Sequence, residues 1–97
     1  MIRDYWIYQN ADSTTPWALY VVKEFSKSYP QSIALSYTLY SENIDNKLNS
    51  VSRVSIHYDT VKGYVNAIII DMIDNGISVD SRDNDQLERE ILAILND

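Results

Sequence analysis

The clearest pattern of apolar and polar positions runs from Asp59 to Gly76. Apolar residues fall there at Val61, Tyr64, Val65, Ile68, Ile69, Met72 and Ile73, the i, i+3, i+4, i+7 series that gathers side chains on one face of a helix. Asp59 can cap that helix by accepting from the free amides of its first turn. Gly76 stands where the chain must turn left-handed to leave it, and Ile77 can then fold back on Met72. Gly63 and Ala67 lie beside the apolar stripe, where small side chains would admit a close neighbour. Leu87, Ile91, Ile94 and Leu95 repeat at helical spacing further on, and Asp83 with Gln86 three residues later has the form of a capping box. A last helix is expected to start at Asp83.

Upstream the period is two. Ile33, Leu35, Tyr37 and Leu39 alternate with Ser32, Ala34, Ser36 and Thr38, which predicts a half-buried strand. Ser41 to Ser50 is polar and predicts a loop. A second strand follows from Val51, with Val54, Ile56 and Tyr58 on its apolar face, and the two strands are expected to pair antiparallel across that loop. Tyr5-Trp6-Ile7-Tyr8 predicts a first strand over residues 4–9. Both its faces are apolar, which implies a strand covered on both sides or lying at an interface. Ile77-Ser78-Val79 predicts a short edge strand.

Residues 16–28 carry two competing signals. Trp17 to Phe25 is rich in strand formers. Yet Thr15 can cap a helix, Pro16 suits its first position, Pro30 marks its end, and Lys23 and Lys27 would sit late, where cations suit the helix dipole. Trp17, Tyr20, Val21 and Phe25 would share one helical face. A helix over 16–28 is expected, with a strand as the alternative. The order then describes one α+β domain over residues 1–97, an antiparallel sheet with helices packed on one face. A ferredoxin-like split arrangement with an added C-terminal helix fits that order best. If 16–28 is a strand, the same chain becomes a four-stranded meander followed by two helices.

The net charge of −6 is unevenly placed. Residues 1–70 carry six acids and six bases, so the excess lies wholly in residues 71–97, where eight acids face only Arg82 and Arg89. Such a chain repels nucleic-acid phosphates, so no direct contact with nucleic acid is expected. There is no cysteine, hence no disulfide and no thiolate metal site. Apolar runs such as Ala67 to Ile70 are too short to cross a bilayer, and no signal peptide is expected from Met1-Ile2-Arg3-Asp4. A cytoplasmic protein without cofactor or metal, and with no membrane association, is expected; the oligomeric state is left open.

Candidate chemistry is sparse. His57 is the only histidine; Asp59 lies two residues on, but no partnered serine accompanies it, and a structural or surface histidine is the expectation over a catalytic one. Asp83-Asn84-Asp85 with Glu88 superficially suggests a calcium loop, but the glycine of such a loop is absent and the segment reads as helix capping. The two glycines, Gly63 and Gly76, form no phosphate-cradling loop. Eight tyrosines and two tryptophans against one phenylalanine favour contact surfaces, since these rings have an apolar body and a polar tip. Tyr40 and Tyr58, at strand ends, and Tyr5 or Tyr8 are expected to be partly exposed. The acids Asp71, Asp74, Asp80, Asp83, Asp85, Glu88 and Glu90 form either a solvated face or a surface that steers a basic partner.

In length, charge, lack of cysteine and tyrosine-rich strands, the chain resembles small phage-encoded inhibitors, in particular anti-CRISPR proteins of the type I-F class. That resemblance implies a non-enzymatic, stoichiometric inhibitor in the host cytoplasm. Its carboxylates, here Asp71, Asp74, Asp80, Asp83, Asp85, Glu88 and Glu90, would mimic DNA in a basic nucleic-acid channel of a CRISPR surveillance complex. The alternative is an antitoxin, immunity or regulatory module that binds a protein partner through its tyrosine-rich sheet, including Tyr40 and Tyr58. A small enzyme using His57 with an acid comes third.

Overall fold

In the computed structural model, alternation at period two underlies Trp17–Phe25 and Ile33–Ser41, and every described element before the first helix is a strand. The structure describes residues 2–9, 16–25, 32–41, 44–54 and 58–97, with side chains except in 44–54 and at 58. Strands β1 (Ile2–Tyr8), β2 (Trp17–Phe25), β3 (Ile33–Ser41) and β4 (Ile44–Val54) lie side by side in chain order, each antiparallel to the next. Helices α1 (Tyr58–Asp74) and α2 (Ser81–Asn96) follow. The fold is α+β, an antiparallel sheet whose inner face packs with both helices in a single core cluster. Its topology is the four-stranded meander, not the ferredoxin-like arrangement, because β1 and β2 pair directly in register from Ile2↔Glu24 to Tyr8↔Ala18.

The helix expected over 16–28 is therefore corrected: Trp17–Phe25 is the strand β2, bonded on both sides. Trp17, Leu19, Val21 and Lys23 are buried, while Ala18, Tyr20 and Val22 between them are only half-buried. The polar loop expected over 41–50 is corrected as well. Ile44–Val54 pairs with β3 from Ser41↔Ile44 to Ile33↔Val54, with irregularities near each end. An edge strand gains its backbone hydrogen bonds whatever its side chains, and polar residues suit an edge. Of the strand expected from Val51 to Tyr58, Val51–Val54 belongs to β4. Residues 55–57, with Ile56 and His57, lie outside the described residues, and Tyr58 opens α1 rather than ending a strand.

In α1, Val61, Tyr64, Val65, Ile68 and Met72 are buried, and Ile69 packs against the core. Ile73 is exposed, as is Ile70. Asp59 lies inside the first turn rather than before it. Gly63 and Ala67 face solvent and nothing approaches Gly63, so the close neighbour expected there is not found. The exit is as the pattern predicts. Gly76 takes φ 81°, its amide donates to the Ile73 carbonyl at 3.0 Å, and Ile77 donates to the Met72 carbonyl at 3.0 Å. That pair of bonds is a Schellman closure, with Ile77 and Met72 both in the core. Ile77-Ser78-Val79 is not a strand.

The cap of α2 is Asp80, three residues before the expected one. Its carboxylate accepts from the amides of Arg82 at 2.8 Å and Asp83 at 3.1 Å, and Asp83 in turn accepts from the Asp80 amide at 3.1 Å. The capping box therefore pairs Asp80 with Asp83, its third helical residue, and not Asp83 with Gln86 as expected.

Two contacts fasten the layers at opposite ends. Lys23 is fully buried, and its Nζ donates to the carbonyls of Ile94 at 2.7 Å, Leu95 at 3.3 Å and Asp97 at 2.9 Å. These acceptors lie at the negative end of α2, where the Ile94 carbonyl also accepts from the Asp97 amide. Tyr5 donates to the Asp97 carboxylate at 2.5 Å, and Arg3 reaches it at 3.5 Å. At the other end, the Gln9 amide donates to the Trp17 carbonyl, so Gln9 faces β2 and the neighbouring Tyr8 carbonyl faces away. Gln86 Nε2 of α2 donates to that carbonyl at 2.6 Å. Lys23→Met is expected to destabilise the protein by about 1–3 kcal/mol, because three hydrogen bonds from β2 to the end of α2, two of them buried, are lost together. Urea unfolding reads the loss, and hydrogen exchange should show it concentrated in the last turn of α2.

Candidate binding surface on the open sheet face

With both helices on one side, the other face of the sheet has no cover among the described residues. β1 was expected to be covered on both sides or to lie at an interface; Ile7 is buried while Trp6 is 50% and Tyr8 62% exposed, so the first alternative does not hold. Register sets the rest of this face. Trp6 stands opposite Tyr20, Tyr8 opposite Ala18, and Ala18 opposite Tyr40. The Trp6 ring lies 4.9 Å from Tyr20, 5.7 Å from Tyr40 and 6.1 Å from Tyr8, centroid to centroid, the last nearly parallel at 14°. Four aromatic rings thus make one continuous platform.

The platform has an acidic margin. Tyr20 donates its hydroxyl to Asp4 Oδ2 at 2.8 Å, a bond that pushes the Tyr20 hydroxyl above its ordinary pKa and keeps it a donor. Asp4 and Glu24 are the charged residues on this face among those with described side chains. Beside the platform, Tyr8, Pro16, Ala18 and Tyr40 line a shallow open depression of about 480 Å³.

The seven acids expected to act together have separate fates. Asp83 is buried and belongs to the capping box, so it presents no charge to a partner; this corrects its place in the expected surface. Asp80 caps α2 and pairs with Arg82 at 3.1 Å. Asp71 is half-buried and accepts from Tyr37 at 3.3 Å and Asn75 at 3.1 Å. Asp74, Asp85 and Glu90 are exposed, and Glu88 is partly so. Among the described residues, no three acidic side chains gather closely enough to hold a metal ion.

Tyr40 and Tyr8 are exposed or half-exposed as expected, and Tyr5 is half-buried. The side chain of Tyr58 and all of His57 lie outside the described residues. Trp6 and Tyr20 were not singled out. For Trp6 the signal was present in the doubly apolar first strand. For Tyr20 it was hidden by the helical punctuation around residues 16–28. No helix among the described residues is long and apolar enough to cross a membrane. No family model, curated protein or solved structure matches the chain.

Asp83→Ala should cost about 1–2 kcal/mol through the capping box, whereas Asp85→Ala should stay within about 0.5 kcal/mol, both read by thermal unfolding. The Asp83 amide, and then the Arg82 side chain, hold the Asp80 carboxyl below its ordinary range. Its contribution to stability should be complete above about pH 4 and lost as the pH falls through the lowered folded value. An Asp80→Ala variant should therefore show a shallower stability loss on acidification than the parent.

Proposed function

We propose that this protein is a non-enzymatic binding module that holds a basic protein partner against the open face of its sheet. The observation that carries this is the four-ring platform around half-exposed Trp6, on a face whose described charges are both carboxylates. Large rings left in water together on a sheet face are costly unless something covers them, and Trp and Tyr dominate the energetics of interfaces. Carboxylates at the margin draw in cations and repel phosphates. The antitoxin, immunity or regulatory class of interaction protein is the one this surface supports.

A second reading keeps the likeness to type I-F anti-CRISPR inhibitors. Its basis is the exposure of Asp74, Asp80, Asp85 and Glu90 on the helical layer, carboxylates that could lie in a nucleic-acid channel of a CRISPR effector. Without Asp83, and with Asp71 and Asp80 already engaged, that field is weaker than the sequence implies.

The two readings separate in one capture experiment from a bacterial lysate. A Trp6→Ala/Tyr8→Ala variant should lose the captured partner, a protein with a basic surface. An Asp74→Asn/Asp85→Asn/Glu90→Asn variant should retain it. The reverse pattern would reject the sheet face and move the function to the helices.

A further inference from the structure

The open face carries a sharper recognition element, which rests on the basic-partner reading above. Asp4 and Trp6 lie two residues apart on β1 and so share a face. Tyr20, opposite Trp6, reaches diagonally to Asp4 Oδ2. A carboxylate is thereby steadied beside a half-exposed indole, with Tyr40 and Tyr8 extending the surface on other sides. Cations of two shapes could approach. An ammonium is compact and strongly hydrated, so it gains attraction to the ring but keeps most of its water. A guanidinium is flat and weakly hydrated; it can lie on an aromatic ring while its rim N–H groups donate sideways to a carboxylate.

We infer that this face reads an arginine side chain of its partner: the guanidinium stacks on Trp6, its rim donates to the Asp4 carboxylate, and the methylene stem lies against Tyr40 or Tyr8. A nucleobase could stack on the same rings, but its phosphates would meet Asp4 and Glu24 in a chain of net charge −6. The open depression between Tyr8 and Tyr40 leaves room for the segment to continue past the arginine.

The test uses the intact protein with 15N label and capped peptides Gly-Arg-Ser-Arg-Gly, the lysine counterpart and the neutral, planar citrulline counterpart. The two tryptophans give separate indole signals. Trp17 is buried, so its signal should stay while that of Trp6 moves. The arginine peptide should bind roughly 5–10-fold tighter than the lysine and citrulline peptides. Trp6→Leu should remove that preference. Asp4→Asn, a mild surface change that keeps the fold, should weaken arginine binding by about 3–5-fold and leave the citrulline peptide unaffected. Equal affinity for arginine and lysine, no movement of the Trp6 indole, or arginine binding untouched by both variants would overturn the inference. Equal affinities that both vanish in Trp6→Leu would end the arginine claim yet leave the basic-partner reading standing. Binding of oligothymidylate at Trp6 with neither cationic peptide bound would overturn both.

Discussion

One buried ammonium joins the two layers of this fold. Lys23 sits at a position of β2 that the alternation assigns to the core, and its side chain crosses to the last carbonyls of α2. Burial chiefly penalises the charge and lowers its pKa, the Asp97 carboxylate acts in the opposite sense, and the Arg3 guanidinium lowers it further. What makes the arrangement tolerable is the match in need. The end of a helix has acceptors with no donors, and a lysine has three donors and no acceptor. The end of α2 is thus fixed over β2, and the remaining core residues of α2 fall into place over the sheet.

That placement decides which side of the sheet meets water. Leu87, Ile91, Ile94 and Leu95 join Val61, Val65, Ile68 and Met72 against the inner face. Two helices cover one side of four strands, and among the described residues nothing covers the other. The sequence adapts the bare side by mixing small and polar residues with rings: Ala34, Ser36 and Thr38 on β3, and Trp6, Tyr8, Tyr20 and Tyr40 toward the end of the sheet where β1 finishes and β2 begins. Rings gathered at one end give that side a direction, which a scatter of single exposed apolar residues would lack.

Much of the fold was legible before the structure. The stripe of α1, its glycine exit and the inward row of β3 are simple periods with clear punctuation, and local signals agreed with the tertiary outcome. Where reading failed, one residue usually concealed the pattern. Lys23 breaks the alternation of β2 because a lysine does not look like a core residue, and its acceptors lie 71 to 74 positions away in sequence. The polar run in β4 hid a strand because backbone pairing leaves no trace in side-chain polarity. Asp83 counted as a surface charge because nothing local distinguishes a cap from the third residue of a capping box. The platform was half legible: abundant tyrosine pointed to a contact surface, but only strand register could bring Trp6, Tyr20 and Tyr40 together.

The contact of Gln86 with the Tyr8 carbonyl bears on a different property. An outermost strand offers its unpaired backbone to any other chain in extended form, and that is how intermolecular sheets and fibrils begin. Here one rung of that ladder is already occupied by the protein's own amide side chain. An added strand could pair at this point only after Gln86 gives up that carbonyl. Self-association of the fibrillar kind at this end of β1 thereby competes with a contact that the helical layer already makes.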